Sequence, residues 1–229
     1  MNPSVINDHF GEAQARGYDE RWRHTLPIRD ALHLLLHTAF LPLPENARIL
    51  CVGAGTGAEI FPLAAANPGW SFVAVEPSKP MLDLCREKAE AAGVTNRCDF
   101  HEGFLDSLPA SVPFDGATSI LVSQFLTDPA ERTNFFRQIH SRLKPGGALV
   151  SADLALPAEE EANEAIYQEW MRLHGPSAPF KGTLADSPWK GMVAVSKPKE
   201  VEALIAKAGF SPVLPIYQAL FIHGWLARA

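Results

Sequence analysis

Cysteine is scarce, positive charge is in deficit and no uninterrupted membrane-length helix pattern is present, and each shortage narrows what the chain can be. Three cysteines (Cys51, Cys85 and Cys98) in 229 residues cannot build a disulfide framework, and they lack the paired spacing of a zinc site. Each stands among apolar neighbours, as a small buried side chain would. Lys plus Arg number 20 against 26 Asp plus Glu, a formal net charge of −6. Such a chain gains little from phosphate-backbone attraction, so no nucleic-acid partner is expected. The first ten residues, MNPSVINDHF, have no basic segment followed by an apolar run, so no secretory leader is read there. Residues 208–227 carry no formal charge and are long enough to span a bilayer. Gly209, Pro212, Pro215 and Gly224 interrupt them, however, and the segment reads as two strands; no membrane partner is expected. The protein is read as soluble and cytoplasmic.

What is present is ordinary globular composition, 47% hydrophobic and 20% charged. A chain of this length can bury roughly 70–75% of its unfolded surface in one domain. Residues 1–46 read as a helical prefix, in which Ile28, Leu32, Leu35 and Ala39 recur at helical spacing until Pro42 and Pro44 break the run. From residue 47 a regular alternation begins. Strands are predicted at 48–53, 71–76, 97–102, 115–122 and 147–154. Helices are predicted at 57–66, 79–92 and 128–143, with Leu82, Cys85, Ala89 and Ala92 on one face of the second and Phe135, Ile139 and Leu143 on one face of the third. Gly93 and Gly146-Gly147 fall just past helix ends, where a left-handed backbone is needed. Such alternation implies a mostly parallel sheet covered on both faces. Residues 155–191 break the rhythm with a helix at about 158–174 and an irregular loop, GPSAPFKGTLADSPWKG, of the kind that forms functional lids. A helix at 198–208 and two strands, SPVLPIY and QALFIHGWLA, close the pattern. The two strands are nearly adjacent, so they can pair only as an antiparallel hairpin. The fold class is therefore α/β: a Rossmann-like, seven-stranded, mostly parallel sheet with an antiparallel C-terminal hairpin, helices on both faces and an N-terminal helical cap. One domain spans 1–229, divided into cap (1–46), core (47–154), lid insert (155–191) and C-terminal helix and hairpin (192–229).

The segment ILCVGAGTGAEI runs a buried strand into Gly53, Gly55 and Gly57 and then into a helix. Glycines there permit a tight bend and let the backbone approach a ligand, and the helix start offers free N–H groups. Glu76, at the end of the next strand, is placed to accept both hydroxyls of a ribose. With Ala58 the run also satisfies the looser dinucleotide pattern, so a nicotinamide-dependent oxidoreductase is an alternative.

The continuation separates the two. Glu76 leads into EPSKPMLDLCREKAEAAG, then CDFHEGFLDSLP, FDGATSILVSQFLTD and IHSRLKPGGALVSADL. This succession resembles the class I S-adenosylmethionine-dependent methyltransferases over residues 8–154 and again in the C-terminal hairpin. The resemblance implies S-adenosyl-L-methionine as cofactor and S-adenosyl-L-homocysteine as product. It also implies roles residue by residue. Gly53, Gly55 and Gly57 form the loop under the methionine portion, Glu76 holds the ribose hydroxyls, Met81 packs on adenine, and Phe104 and Leu105 contact adenine. Many members carry Asp where Phe104 stands; Phe104 can stack but cannot accept the adenine amine, and Asp106 is the nearest substitute. Ser119 and Leu121 fall near the methionine tail and sulfonium, with Tyr18 as a capping tyrosine over that tail. The stretch QFLTDPAERTNFFRQIHSRLKPGGALV is further similar to carboxy-S-adenosylmethionine synthases. Those carry a lid arginine for the extra carboxylate, whereas residues 175–197 here offer only Lys181, Lys190 and Lys197. A non-catalytic cofactor-binding module is the remaining alternative.

A small-molecule acceptor is expected, enclosed by the cap and the lid. Gln124, after the fourth strand, and Tyr167, Met171 and Trp189, in the lid, are the candidate substrate contacts, and His174 is the candidate base. Packing on the core or the N-terminal helix is the plainer account of the same lid stripe. His33 and His37 are four apart on one helical face, but no third ligand accompanies them, so no metal is expected. The oligomeric state stays open, with a homodimer as one option.

Overall fold

Runs of β-branched and apolar residues alternate with amphipathic segments from Arg48 onward, and the backbone follows them. The computed structural model describes residues 10–157, 160–173 and 182–229. The helices α1 (Glu12–Arg16), α2 (Tyr18–Arg21) and α3 (Leu26–Phe40) precede the sheet. There follow β1 (Arg48–Val52), α4 (Ile60–Ala66), β2 (Ser71–Glu76), α5 (Lys79–Ala91), β3 (Cys98–Glu102), β4 (Phe114–Ile120), α6 (Pro129–His140) and β5 (Leu143–Leu154). The chain ends with α7 (Glu160–Leu173), α8 (Pro198–Lys207), β6 (Val213–Ala219) and β7 (Ile222–Arg228). The seven strands form one sheet in the order β3-β2-β1-β4-β5-β7-β6. Strands β1 to β5 pair parallel, whereas β7 runs antiparallel to both β5 and β6. The chain winds outward from β1 to β3, then crosses back to place β4 on the other side of β1. That reversal opens a crevice at the carboxyl ends of β1 and β4, where ligands of open α/β sheets bind.

Strand alternation sorts the core into two layers. Ile49 and Cys51 of β1 face α3, α4 and α5, meeting Leu36, Phe40, Leu63 and Leu82. Leu50 and Val52 face the opposite way, toward Phe136 and Ile139 of α6 and Val201 and Ile205 of α8. Burial on both faces is why β1 reads as a continuous apolar run. A third cluster joins Leu32 of the cap, Tyr167 and Trp170 of α7, and Phe221 and Ile222 of the hairpin over the end of β5.

Several boundaries differ from the sequence expectation, each for a local reason. Helix α4 starts at Ile60 rather than 57, because Gly57 and Ala58 are consumed by the glycine turn, where Gly57 N–H donates to Ala54 O at 2.7 Å. Helix α6 ends at His140, and Leu143 already pairs with Phe114 as the start of β5. Gly146 (φ +77°) therefore lies within β5, past a register shift on β4 between Phe114 and Gly116, and does not terminate a helix. On α3 the buried stripe is Leu32, Leu36 and Phe40, one turn-step off the expected set. On α7 it is Asn163, Tyr167 and Trp170, while Leu173 is exposed. Among the described residues no helix is long and apolar enough to cross a membrane, and no group of three His, Cys, Asp or Glu side chains is placed to hold a metal.

One polar knot lies inside the α6 layer. Arg132 is only 1% exposed, and its guanidinium approaches Asp153 Oδ2 at 3.2 Å and donates to Ser123 Oγ at 2.8 Å. Ser123 Oγ donates in turn to Asp153 Oδ2 at 2.6 Å, and Gln124 N–H donates to Asp153 Oδ1 at 2.9 Å. The knot fixes the segment after β4 against the end of β5. Removing one partner strands the other charge in an apolar layer, so Arg132→Leu is expected to destabilise the fold by about 3–5 kcal/mol. Chemical denaturation checks this, and the double variant Arg132→Leu/Asp153→Leu is expected to recover much of the loss.

Candidate functional site

β1 passes directly into the turn spanning Gly53 to Gly57. The amides of Gly53 and Ala54 donate to Val75 O at 2.8 and 3.1 Å, which bends the turn over the end of β2. Gly53 has φ +68°, and a Cβ there would stand 2.4 Å from Val122. Glycine is required at that point by conformation and by space together. Glu76 ends β2 beneath the turn. Its Oε2 accepts from Gly55 N–H and its Oε1 from Ser78 N–H, both at 2.9 Å. Each oxygen keeps lone-pair capacity for a further donor, and two neighbouring ligand hydroxyls would use it. Burial raises the pKa of Glu76 above the ordinary carboxylate value, and the two amide bonds oppose that rise.

A second carboxylate lies just after the turn. Glu59 is 5% exposed, and its Oε1 accepts from Thr118 Oγ1 of β4 at 3.2 Å. Burial pushes its pKa up to about 7, and the nearby charge of Glu76 adds to the rise. Among the described residues no cation stands against either acid.

A cavity of about 300 Å³ opens beside the turn, walled by Gly53, Phe104, Leu105, Asp106, Val122 and Asn134, among others. Leu121 shapes this wall. It is a non-glycine residue with φ +59°, bonded through its N–H to Ala152 O at 2.6 Å, and it turns the chain so that Val122 enters the cavity lining. The N-terminal cap is tied down over the same turn. Thr56 Oγ1 donates to Asp19 Oδ1 at 3.1 Å, Lys88 Nζ meets Asp19 Oδ2 at 2.5 Å, and Ser78 Oγ donates to Phe10 O at 2.6 Å.

These contacts locate the residues singled out from sequence. Gly53, Phe104 and Leu105 line one cavity. Gly55, Gly57, Glu76 and Met81 gather at the turn, with Met81 Cε 3.5 Å from where a Cβ on Gly55 would stand. Tyr18 sits in the cap beside Asp19, its ring 6.3 Å from both Phe10 and Trp22. Ser119 is fully buried with an unpartnered hydroxyl, and alternation puts it on the sheet face of Ala117 rather than that of Thr118. Gln124 is spent largely on structure. Its Oε1 accepts from Leu154 N–H and its backbone carbonyl from Ala194 N–H, both at 2.7 Å. Tyr167 is 1% exposed with its hydroxyl unpartnered, and Trp189 packs edge-on against it at 5.5 Å and against Phe221 at 5.2 Å. Met171 is half-buried at the edge of this aromatic cluster. His174 lies outside the described residues.

Sequence reasoning passed over Glu59, Asp19, Thr56 and Asn134. Glu59 did leave a signal, since it is the one acid opening an otherwise wholly apolar helix, IFPLAAA. The pairing of Asp19 with Thr56 across 37 positions leaves none.

Comparison with known proteins agrees with this geometry. Residues 49–147 match the family model described as a methyltransferase domain. A demethylmenaquinone methyltransferase of Thermus thermophilus is 30% identical over 204 residues, covering 85% of this chain and 83% of the relative. A carboxy-S-adenosyl-L-methionine synthase of Desulfotalea psychrophila is 25% identical, covering 99% of this chain and 94% of the relative. Among solved structures, an O-methyltransferase family protein from Burkholderia thailandensis superimposes with a TM-score of 0.67 at 14% identity, over 94% of this chain and 59% of that one.

Two outcomes are expected from the turn itself. Gly53→Ala must displace Val122 and adopt a strained φ, so it is expected to lower stability by about 1–3 kcal/mol, read by denaturant midpoint. Glu59 has a pKa in the folded state above its unfolded value, so the native state holds the extra proton between about pH 4.5 and 7. Stability of the ligand-free protein therefore falls as pH rises through that window, by up to about 3 kcal/mol from this group. Thermal unfolding across pH is expected to show a slope that Glu59→Gln flattens.

Proposed function

The chain belongs to the class I S-adenosylmethionine-dependent methyltransferases, and from that premise we propose that it moves the donor's methyl group to a small, largely apolar acceptor held beneath the cap and lid. The observation that carries the reading is the Glu76 carboxylate, bonded at once to Gly55 and Ser78 at the end of β2, with its chain neighbours Val75 and Pro77 in the cavity lining. It presents acceptor oxygens to a ribose while the walls beyond it take a flat, apolar base. Phe104 stacks on that base, and Asp106 and Asn134 on the same wall offer acceptors to its exocyclic amine, the task that an Asp at position 104 would otherwise serve.

The donor, when bound, supplies a methyl group on a cationic sulfur that is already activated for in-line displacement. The protein's task is then mainly orientation, which can be worth about 7–11 kcal/mol of barrier. The cap, tied down through Asp19 and Phe10, covers the donor end, with Tyr18 above its amino-acid tail. Tyr167, Trp170, Trp189 and Phe221 roof the end of β5, exclude water and favour an apolar ring. The buried Tyr167 hydroxyl is the polar group available inside that roof to orient an acceptor oxygen or nitrogen. The demethylmenaquinone methyltransferase relative, named for an acceptor of that kind, supports this substrate class.

A second reading, synthesis of a carboxylated donor, is favoured by the relative that matches 99% of the chain. It would need a co-substrate that supplies the carboxyl group as the methyl gives up a proton, and a cation for the new carboxylate. The lid sequence offers lysines in place of an arginine fork.

Thermal unfolding with S-adenosylmethionine, S-adenosylhomocysteine or NAD tests the reading. At a hundred times its dissociation constant a ligand adds about 2.7 kcal/mol, a rise of roughly 5–10 °C. A rise with the first two is expected in the wild type and its loss in Glu76→Ala; a rise with NAD alone would overturn the assignment. Incubation with labelled donor and a panel of phenols and quinols is expected to release S-adenosylhomocysteine, and mass analysis of the nucleoside pool separates methyl transfer from donor carboxylation.

A further inference from the structure

We propose that Glu59 is the counter-charge for the α-ammonium group of the donor's amino-acid end, and so makes the pocket select nucleosides that carry that end. The proposal rests on the methyltransferase reading above. Three carboxylates surround the glycine turn, and two are already committed. Asp19 is neutralised by Lys88 at 2.5 Å. Glu76 accepts from an amide at each oxygen and stands at the ribose position. Among the described residues Glu59 has only its own backbone amide and the Thr118 hydroxyl.

Among the described residues, the elements packed around Glu59 offer it no compensating cation. β1 presents Cys51, β2 presents Glu76, β4 presents Thr118 and α5 presents Cys85. The thiols are neutral, burial pushing that of Cys85 up to about 12, and Glu76 repels. Nor does Glu59 cap the short helix it precedes, since its side chain makes no capping bond there. A glutamine would satisfy Thr118 as well without a buried charge, so packing alone gives no reason for an acid. A cation arriving with the ligand does. The donor's amino-acid end carries one, and the expected path of that end runs over Gly53 and Gly55, in the turn that leads into Glu59.

The test compares S-adenosylhomocysteine with 5′-methylthioadenosine. Both have adenine, ribose and a neutral sulfur, but only the first has an ammonium. Isothermal titration at pH 8 is expected to show Glu59→Gln weakening S-adenosylhomocysteine by about tenfold or more, with 5′-methylthioadenosine changed less than about twofold. In the wild type the ratio of the two affinities is expected to fall from pH 8 to pH 6, as protonation removes the counter-charge, and to stay flat in Glu59→Gln. Taking the ratio cancels the ribose contact and any titration of Glu76. Equal weakening of both nucleosides would overturn the proposal and make Glu59 a support for the turn, as would an unchanged affinity for S-adenosylhomocysteine. Failure of the wild type to bind either would overturn the donor assignment itself.

Discussion

A single carboxylate holds the working end of this sheet together. Glu76 takes one hydrogen bond from the glycine turn after β1 and another from the first residues leading into α5, so two connections that would otherwise move independently are set in one register. The rest follows from that bond pair. The turn is held where Gly53 can lie against Val122, α5 starts where Met81 and Cys85 can pack beneath the turn, and the cap finds Thr56 and Ser78 in fixed positions to bond. Two backbone amides bonded to one acid stabilise it without neutralising it, which suits a group meant to receive further hydroxyl donors.

The buried charges divide into two kinds by their surroundings. Asp153 is also desolvated, but Arg132, Ser123 and the Gln124 amide satisfy it, and its role ends with tying the segment after β4 to β5. Glu59 and Glu76 are buried as well, and among the described residues no cation stands beside them. A fold tolerates an ionised pair readily when it is internally matched, and less readily when the match must arrive from outside. The unmatched acids lie at the glycine turn, whereas Asp153 and the likewise buried Asp115, paired with Lys144, lie away from it, so the electrostatics set the turn apart from the rest of the sheet.

Much of this was legible in the amino-acid order. Buried parallel strands announce themselves as apolar runs, which is why β1, β2 and β4 were found within a residue or two, and Pro and Gly punctuation marked the hairpin. The places of Gly53 and Glu76 were legible for the same reason the fold was, since both are held by local rules of turn and strand end. Helix limits were less so. The end of α6 was overrun because Leu143 continues the helical spacing while its backbone is claimed by Phe114. Contacts between distant segments left no trace in any window: nothing in residues 1–46 says that Asp19 will meet Thr56, and the helical stripe of α7 gave no hint that Tyr167 and Trp170 would share a cluster with Phe221. Glu59 fell between these cases, visible as an acid in an apolar stretch but interpretable only once Thr118 was seen opposite it.

The third apolar cluster joins a cap helix, the lid helix and the tip of the hairpin, three pieces from opposite ends of the chain, while the glycine turn and Glu76 come from a compact central stretch. The turn and this cluster are therefore written in separate parts of the sequence. Changes in Leu32, Trp170, Trp189 or Phe221 can reshape the roof without disturbing a single contact of the turn. Drift in the periphery can therefore remodel that cluster while the turn keeps its geometry.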